Sequence, residues 1–261
     1  MLLAIDIGNS HIVCGVFQNK NLLKTWRIST DAKKTEDEYG IIIVNLLEKA
    51  GIIKEHIDGV IISSVVPLLN ETLERVSKEY FKIEPFFIGH NIKIDMPILY
   101  DNPSEVGADR IINAVAAYNK YTSPLIIIDL GTATTFCVVS AKGEYLGGCI
   151  AQGLAISAEV LYRKTAKLPQ IRITRPDAVI GKNTVSSMQS GLFYGYVSLI
   201  EGLIQRIKQE ICEKTADVKV ILTGGLAELL ASDLKDVILD RNLTLEGLRM
   251  IFENNTQTYV H

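Results

Sequence analysis

The alternation of apolar and polar positions over the first 30 residues predicts three strands joined by tight turns. The stretch "LLAIDIGNSHIVCGVF" at 2–17 reads as an apolar strand, a polar turn and a second apolar strand. "NKNLLKTWRIST" at 19–30 opens with a turn signal and continues as a third strand. Asp6 lies inside the first apolar run, where a buried carboxylate is costly unless it has a partner or a ligand.

This pattern occurs a second time, as "LIIIDLGTATTFCVVS" at 125–140. A shift of 123 positions places Asp6 on Asp129 and Cys14 on Cys137. In both copies an apolar strand ends in aspartate, an apolar residue and glycine, and small polar residues lead into the next strand. The repeat therefore predicts the same hairpin twice.

Other parts of the chain follow the same repeat. A strand that breaks into small residues and then becomes a helix occurs at 59–76 and again at 218–234. We therefore predict two tandem copies of one α/β domain, at residues 1–118 and 119–261.

Three helices stand out from their capping signals and apolar spacing. Thr35 and Glu38 form a capping box before an apolar stripe, and a second helix is expected to start near Pro103. A long apolar stripe at 187–214 predicts a third helix, whose length suits a dimer contact.

The repeated turns favour phosphate binding, because glycine lets backbone N–H groups approach a ligand and hydroxyl groups add donors. The residues offered are Gly8, Asn9 and Ser10 in the first turn and Gly131, Thr132, Thr134 and Thr135 in the second. Asp6 and Asp129 would repel a phosphate, so the pattern implies a cation between them. The alternative for each turn alone is a capped aspartate without a ligand.

Two further segments are candidates for binding the nucleotide base and the substrate. Gly224 and Gly225 follow a strand and precede a helix, where the missing side chains leave room for a purine or simply form a turn. The segment "YDNPSEVGADRIINAVAAY" at 100–118 carries Asp109 and Arg110 at a helix start, which is either a substrate site or a capped surface helix. "GKNT" at 181–184 lacks the spacing of a P-loop.

Composition narrows the class of protein. Hydrophobic residues make up 48% of the 261 and charged residues 22%, which is typical of a globular chain. The net charge of -3 and the lack of long charge blocks argue against nucleic acid as a partner. No apolar run approaches the roughly 20 residues that a membrane span needs, so we expect no membrane association and a cytoplasmic protein. The scattered cysteines and histidines do not have zinc-ligand spacing.

The motifs in their order resemble the type III pantothenate kinases, members of the superfamily that includes actin, Hsp70 and hexokinase. They are "DIGNS" at 6–10, "PSEVGADR" at 103–110, "DLGTATT" at 129–135, "GGCIAQG" at 147–153 and "LTLEGL" at 243–248. The resemblance implies two tandem ribonuclease H-like (actin-like) domains with mixed five-stranded sheets and an ATP cleft between them. It also implies phosphorylation of pantothenate to 4'-phosphopantothenate, the first step towards coenzyme A.

The resemblance also assigns roles to individual residues. Asp109 would be the proton acceptor, Asp129 would bind a monovalent cation (K⁺ or NH₄⁺), and Asp6 would lie near magnesium, directly or through water. The residues implied for ATP are Asp6, Ile7, Gly8, Asn9, Ser10, His11, Ile12, Val13, Gly131, Thr132, Gly224 and Gly225. Those implied for pantothenate are Tyr100, Gly107, Ala108, Asp109, Arg110 and Thr184, and the family is homodimeric.

Two positions depart from the family pattern, and three other functions remain as alternatives. The family pattern has proline where this chain has Gln152 and Arg241, which leaves the shapes of two loops undetermined. The rival functions are an ATP-binding regulatory or accessory protein of the same family, a different small-molecule kinase, and a cytoskeletal or chaperone ATPase. The last is usually a longer chain, and the presence of Asp109 favours a kinase over a regulator.

Overall fold

A computed structural model describes residues 1–89, 94–211 and 217–257. Its strands are β1 (Leu2–Ile7), β2 (His11–Gln18), β3 (Asn21–Ser29), β4 (Gly59–Ser64), β5 (Phe86–Phe87), β6 (Leu125–Leu130), β7 (Ala133–Val139), β8 (Tyr145–Gln152), β9 (Lys219–Thr223) and β10 (Val237–Leu239). Its α-helices are α1 (Glu36–Lys49), α2 (Asn70–Val76), α3 (Ala108–Tyr121), α4 (Leu154–Lys164), α5 (Thr184–Ile211), α6 (Ala227–Ala231) and α7 (Leu243–Gln257). Among the described residues, no helix is both long and apolar enough to cross a bilayer.

The strands form two five-stranded mixed sheets of the same topology. The first has the order β3-β2-β1-β4-β5 and the second the order β8-β7-β6-β9-β10. In each, the hairpin strands are antiparallel and the following strands are parallel. The predicted fold class of two tandem mixed α/β domains is confirmed.

One face of each sheet packs on its own helices. On the first sheet Ile5, Cys14 and Ile62 join the apolar cluster that includes residues of α1 and α2. On the second sheet Ile128 and Leu222 join a cluster with residues of α4, α5 and α6. Asp6 and Asp129 each lie next to these buried positions along the strand, so their side chains point to the opposite face.

The two hairpins match in burial but not in length. Ile7 pairs with Ile12 across the first turn, whereas Leu130 pairs with Thr134 across the second, which is one residue shorter. The placement of Cys14 on Cys137 is therefore wrong: Cys14 corresponds to Phe136, because both lie one pair before the aspartate pair.

The predicted helices are present with shifted bounds. The capping box is confirmed: the Glu38 N–H donates to Thr35 Oγ1 at 3.3 Å and the Thr35 N–H to Glu38 Oε2 at 2.9 Å. The start of α3 near Pro103 is wrong, because Pro103–Glu105 forms a separate 3₁₀ turn and the helix begins at Ala108. The long helix is confirmed as Thr184–Ile211, and its expected end at residue 214 lies outside the described residues.

Contacts divide the chain into two compact units. The first consists of Met1–Asp95, Ser104–Ala116 and Leu243–His261, and the second of Met96–Pro103 and Ala117–Asn242. This differs from the sequence-based division at residue 118, which put the last helix in the second domain.

The last helix joins the first unit because its apolar side chains pack on the first sheet. A Cβ built on Gly15 would lie 2.8 Å from Leu245 Cδ1, and one on Gly59 would lie 2.5 Å from Phe252 Cζ. Gly15 and Gly59 pair with Ala4 and Leu2 of β1. Helix α7 therefore covers the face of the sheet to which Asp6 points.

The two departures from the family pattern have simple surroundings. Gln152 ends β8 in register with Ala133, so the strand runs to the position where proline was expected. Arg241 forms an exposed ion pair with Glu228, with Nη2 2.7 Å from Oε1. An exposed pair of this kind contributes little to stability.

Candidate functional site

The turn of the first hairpin is closed by backbone and side-chain hydrogen bonds. The Gly8 N–H donates to the His11 carbonyl at 3.0 Å. Thr30, just after β3, donates from Oγ1 to the Gly8 carbonyl at 2.6 Å and from its N–H to the Ser10 carbonyl at 3.1 Å. Thr30 thus fixes the turn that follows Asp6.

Sequence reasoning missed Thr30. The next residue anchors this segment to α1: the Asp31 N–H donates to Tyr39 Oη at 2.9 Å, and Tyr39 Oη donates to the Asp31 carbonyl at 2.9 Å. A hydroxyl residue at the end of the third strand was the available signal. Its partner could not be inferred because strand pairing, not local sequence, brings Thr30 to Gly8.

The residues predicted around the first turn divide by exposure. Ile7 and Ile12 are fully buried in the apolar core, so only their backbone groups are available to a ligand. Asn9, Ser10 and His11 are exposed. The first turn therefore has exposed polar groups at its tip, and the two isoleucines that flank it are packed in the apolar core.

Charges near the first turn are set by burial and by Asp6. Partial desolvation of the exposed ring, and then the charge of Arg27, lowers the pKa of His11 below its ordinary value of 6.5, so the imidazole is mostly neutral at pH 7. Burial, and then the Asp6 carboxylate, raises the pKa of the Cys14 thiol to about 12. Cys14 is thus a neutral core group.

Asp109 lies in the first turn of α3, in the same unit as Asp6. A Cβ built on Gly107 would lie 2.6 Å from Asp109 Oδ1, so glycine at this position leaves space for the carboxylate. The Gly107 carbonyl accepts the N–H of Arg110 at 3.1 Å and begins the helix. Arg110 is buried, with 6% of the residue exposed.

Helix α3 packs against α7. A Cβ on Gly247 would lie 2.5 Å from the Ile112 carbonyl oxygen, and Thr244 Oγ1 donates to Asn113 Oδ1 at 2.7 Å. Since α7 covers the face of the first sheet to which Asp6 points, α3 is on that side as well. The first unit therefore brings Asp6 and Asp109 to the same side of its sheet.

The second hairpin turn is closely approached by two glycine-containing segments. Gly224 has φ +96, and a Cβ there would collide with Asp129 Oδ1 and lie 2.5 Å from the Leu130 nitrogen. A Cβ on Gly153, which precedes α4, would collide with the Thr132 carbonyl oxygen. Both positions require glycine, because backbone and carboxylate occupy the space of a side chain.

One predicted phosphate donor of the second turn faces the core instead. Thr134 is 1% exposed, and its Oγ1 lies 3.2 Å from Tyr196 Oη. The expectation that Thr134 contributes to a phosphate site is therefore wrong, because the pleat of β7 directs it away from Asp129. Thr132 is half-buried and Gly225 is exposed, so both stay accessible.

A cavity of about 570 Å³ opens beside the Gly224–Gly225 turn. Leu226, the next residue, lines it, and α4 supplies Ala155, Ala158 and Tyr162. Glu159, Arg163 and Gln170 also line it, so apolar side chains and an aromatic ring alternate with charged and polar groups. This combination suits a flat heterocyclic group with polar edges.

The remaining substrate candidates belong to the second unit, whereas Gly107–Arg110 belong to the first. The Leu99 N–H donates to the Tyr145 carbonyl at 2.8 Å, and Tyr100 Cε2 lies 3.4 Å from the Cβ position of Gly147. Thr184 is the exposed first residue of α5, just after Asn183, whose Oδ1 accepts the Ser186 N–H at 2.9 Å.

Each hairpin aspartate has a hydroxyl residue as its neighbour on the parallel strand. Asp6 is in register with Ser63 of β4, and Asp129 with Thr223 of β9. Sequence reasoning missed both, although a serine or threonine ends each of these apolar strands.

The donor set suits a hard cation. Within the described ranges, no three His, Cys, Asp or Glu side chains come together as a preformed metal cluster. Magnesium is commonly held by one or two carboxylates together with water and substrate phosphates. A single aspartate at each turn fits that pattern.

Comparison with known proteins shows which family this chain is similar to. The sequence profile described as type III pantothenate kinase matches residues 2–206. Proteins named type III pantothenate kinase are 54% identical in Citrifermentans bemidjiense, over 98% of this chain and 100% of the relative, and 51% identical in Myxococcus xanthus, over 98% and 99%. A crystal structure titled as a conserved putative Baf family transcriptional activator from Campylobacter jejuni is 21% identical, covers 98% of this chain and 99% of its own, and has a TM-score of 0.60. That structural likeness supports the fold alone.

Proposed function

Because this chain belongs to the type III pantothenate kinase family, we propose that it transfers the γ-phosphoryl group of ATP to the primary hydroxyl of pantothenate. The product is 4'-phosphopantothenate, the first intermediate on the way to coenzyme A. The observation that supports this proposal is that α3, which begins with Asp109 in its first turn, packs on α7, the helix over the sheet face to which Asp6 points. No described feature favours the regulatory alternative.

ATP binding is assigned to both hairpin turns. The exposed tip of the first turn, Asn9 and Ser10 after Gly8, and the backbone of Gly131 and Thr132 in the second supply N–H donors for phosphate oxygens. The cavity beside Gly224 and Gly225 receives the base. That both turns hold the same triphosphate stays a prediction.

Asp109 is proposed as the group that accepts the proton of the pantothenate hydroxyl. A carboxylate is a weak base, with an ordinary pKa of about 3.9. It suffices when the phosphoryl transition state is loose, because the hydroxyl then loses its proton late and positioning supplies most of the acceleration. Gly107, Ala108, Arg110, Tyr100 and Thr184 are proposed to hold pantothenate.

Two cations complete the proposal. Asp6 is proposed to hold magnesium, directly or through water, and the magnesium would neutralise charge on the transferred phosphoryl group. Asp129 is proposed to bind a monovalent cation, K⁺ or NH₄⁺. Asp129→Ala should then abolish stimulation by potassium, and potassium dependence that survives in this variant would contradict the assignment.

A homodimer in the cytoplasm is proposed as well. Val179 and Ile180, just before α5, are 65% and 83% exposed, and an apolar pair this exposed is suited to burial in an interface. Light scattering of the purified protein measures the mass directly, and a monomer at micromolar concentration would contradict the proposal.

One assay tests the proposed reaction. Purified protein is incubated with ATP, magnesium and pantothenate, with and without potassium, and phosphopantothenate is followed by mass spectrometry. We expect product that depends on magnesium and increases with potassium. No product under any ion condition would refute the proposed function.

A further inference from the structure

Ser63 is a fully buried polar residue directly beside Asp6. Strands β1 and β4 are parallel, and their register pairs Asp6 with Ser63, so both side chains project from the same face of the sheet. Ser63 is 0% exposed, and its Oγ has no hydrogen-bond partner among the residues that the structure describes.

The other neighbours of Ser63 on the sheet are apolar. Ile61 lies on the same face of its own strand, two residues before it. On the side away from β1, the chain continues from β5 into Ile88, whose N–H donates to the Ile62 carbonyl at 2.9 Å. Asp6 therefore supplies the polar side chain next to the Ser63 hydroxyl on this sheet.

Stability of the fold does not account for a serine here. A buried hydroxyl without a partner is unfavourable compared with a methyl group in the same place. The adjacent Ser64 differs, since its Oγ accepts the Val66 N–H at 3.1 Å. Ser77, another buried serine of this unit, donates to the Ile83 carbonyl at 2.8 Å.

The second hairpin repeats the arrangement independently. Thr223 is 2% exposed and lies in register with Asp129 on the parallel strand β9. A buried hydroxyl beside the aspartate at both turns indicates a role that goes with the aspartate.

We propose that Ser63 is a positioning residue for Asp6. Its Oγ–H donates to the Asp6 carboxylate when a nucleotide and its divalent cation are bound, and this contact keeps the carboxylate oriented towards the cation. The inference rests on the proposed assignment of a nucleotide and magnesium to the first turn. Groups that orient metal-binding side chains in this way typically change metal affinity by about 10- to 100-fold.

The experiment measures binding of Mn²⁺ with ADP by electron paramagnetic resonance, without pantothenate. For Ser63→Ala we expect the dissociation constant for release of Mn²⁺–ADP from the protein to rise about tenfold or more. The thermal midpoint of unfolding should equal or exceed that of the wild type, because the variant removes a buried hydroxyl without a partner. Ser63→Thr should retain near-wild-type affinity, since threonine occupies the matching position beside Asp129.

Ser77→Ala is the matched control. It removes a buried serine hydroxyl of the same unit that has a partner, the Ile83 carbonyl. We expect a lower thermal midpoint and an unchanged affinity for Mn²⁺–ADP. The two serines thus give opposite results for stability and for binding.

The inference is overturned if Ser63→Ala binds Mn²⁺–ADP as the wild type does. It is also overturned if Ser63→Thr loses as much affinity as Ser63→Ala, because packing would then explain the loss. A wild-type protein that binds Mn²⁺–ADP but forms no phosphopantothenate would overturn the proposed reaction and leave the comparison of Ser63 variants valid.

Discussion

Replacing Thr30 with valine tests whether the first turn must be held in place for ATP to bind. Valine preserves the shape of the side chain and the Thr30 N–H, which donates to Ser10, and removes only the 2.6 Å hydrogen bond to the Gly8 carbonyl. Such a bond contributes about 1 kcal/mol net. If the bond stabilises the ATP-binding position of the turn by this amount, its loss should raise the KM for ATP about fivefold at saturating pantothenate.

The same loss should lower the unfolding midpoint by about 2–4 °C for a chain of this size. ADP release at varied ATP measures the KM, and differential scanning calorimetry measures the midpoint. Thr30→Ser should restore both values, and Thr25→Val, at an exposed position of β3, should change neither. A lowered midpoint with an unchanged KM for ATP would refute the reasoning, because Thr30 would then stabilise the sheet without positioning the turn.

Three further substitutions test the proposed base, the second turn and the buried thiol. Asp109→Asn should lower turnover by about 100-fold or more while ATP affinity, measured by calorimetry, stays unchanged; near-normal turnover would remove Asp109 from the mechanism. Gly224→Ala should destabilise the fold by at least about 1–2 kcal/mol in urea unfolding, because φ is +96 and the new Cβ would meet Leu130; wild-type stability would show that the turn relaxes. The raised pKa of Cys14 means that the unfolded thiol ionises above about pH 9 and the native thiol only near 12, so stability is lost as the pH rises through this window. Between about pH 9 and 11 the free energy of unfolding, measured in urea, should fall less in Cys14→Ala than in the wild type. An equal fall in both proteins would contradict the raised pKa of Cys14.

The sequence was sufficient for features that depend on local pattern. The hairpins at Asp6 and Asp129 follow from alternating apolar positions and a glycine turn, and the capping box of α1 lies within four residues. The motifs also placed the chain in its family, which the full-length relatives confirm.

Features that depend on pairing between distant segments could not be predicted. Ser63 and Thr30 reach the first turn through strand register, which no short window encodes. Likewise, the second turn is one residue shorter, which shifts β7 by one position relative to β2. The sheet face occupied by Thr134 and the counterpart of Cys14 in the second hairpin were therefore misassigned. A one-residue change reverses which face a strand residue occupies, while leaving the apolar pattern nearly the same.

The position of α7 has a consequence for how the protein is made. On the ribosome, β1, β2 and β4 emerge early, but the helix that covers Ala4, Gly15 and Gly59 is translated only after the whole second unit. The nascent chain thus carries a bare apolar sheet face while residues 117–242 are translated, a state prone to aggregation and to capture by chaperones. Completion of the first unit, including the seat of Asp109, therefore has to wait until residues 243–257 have been synthesised.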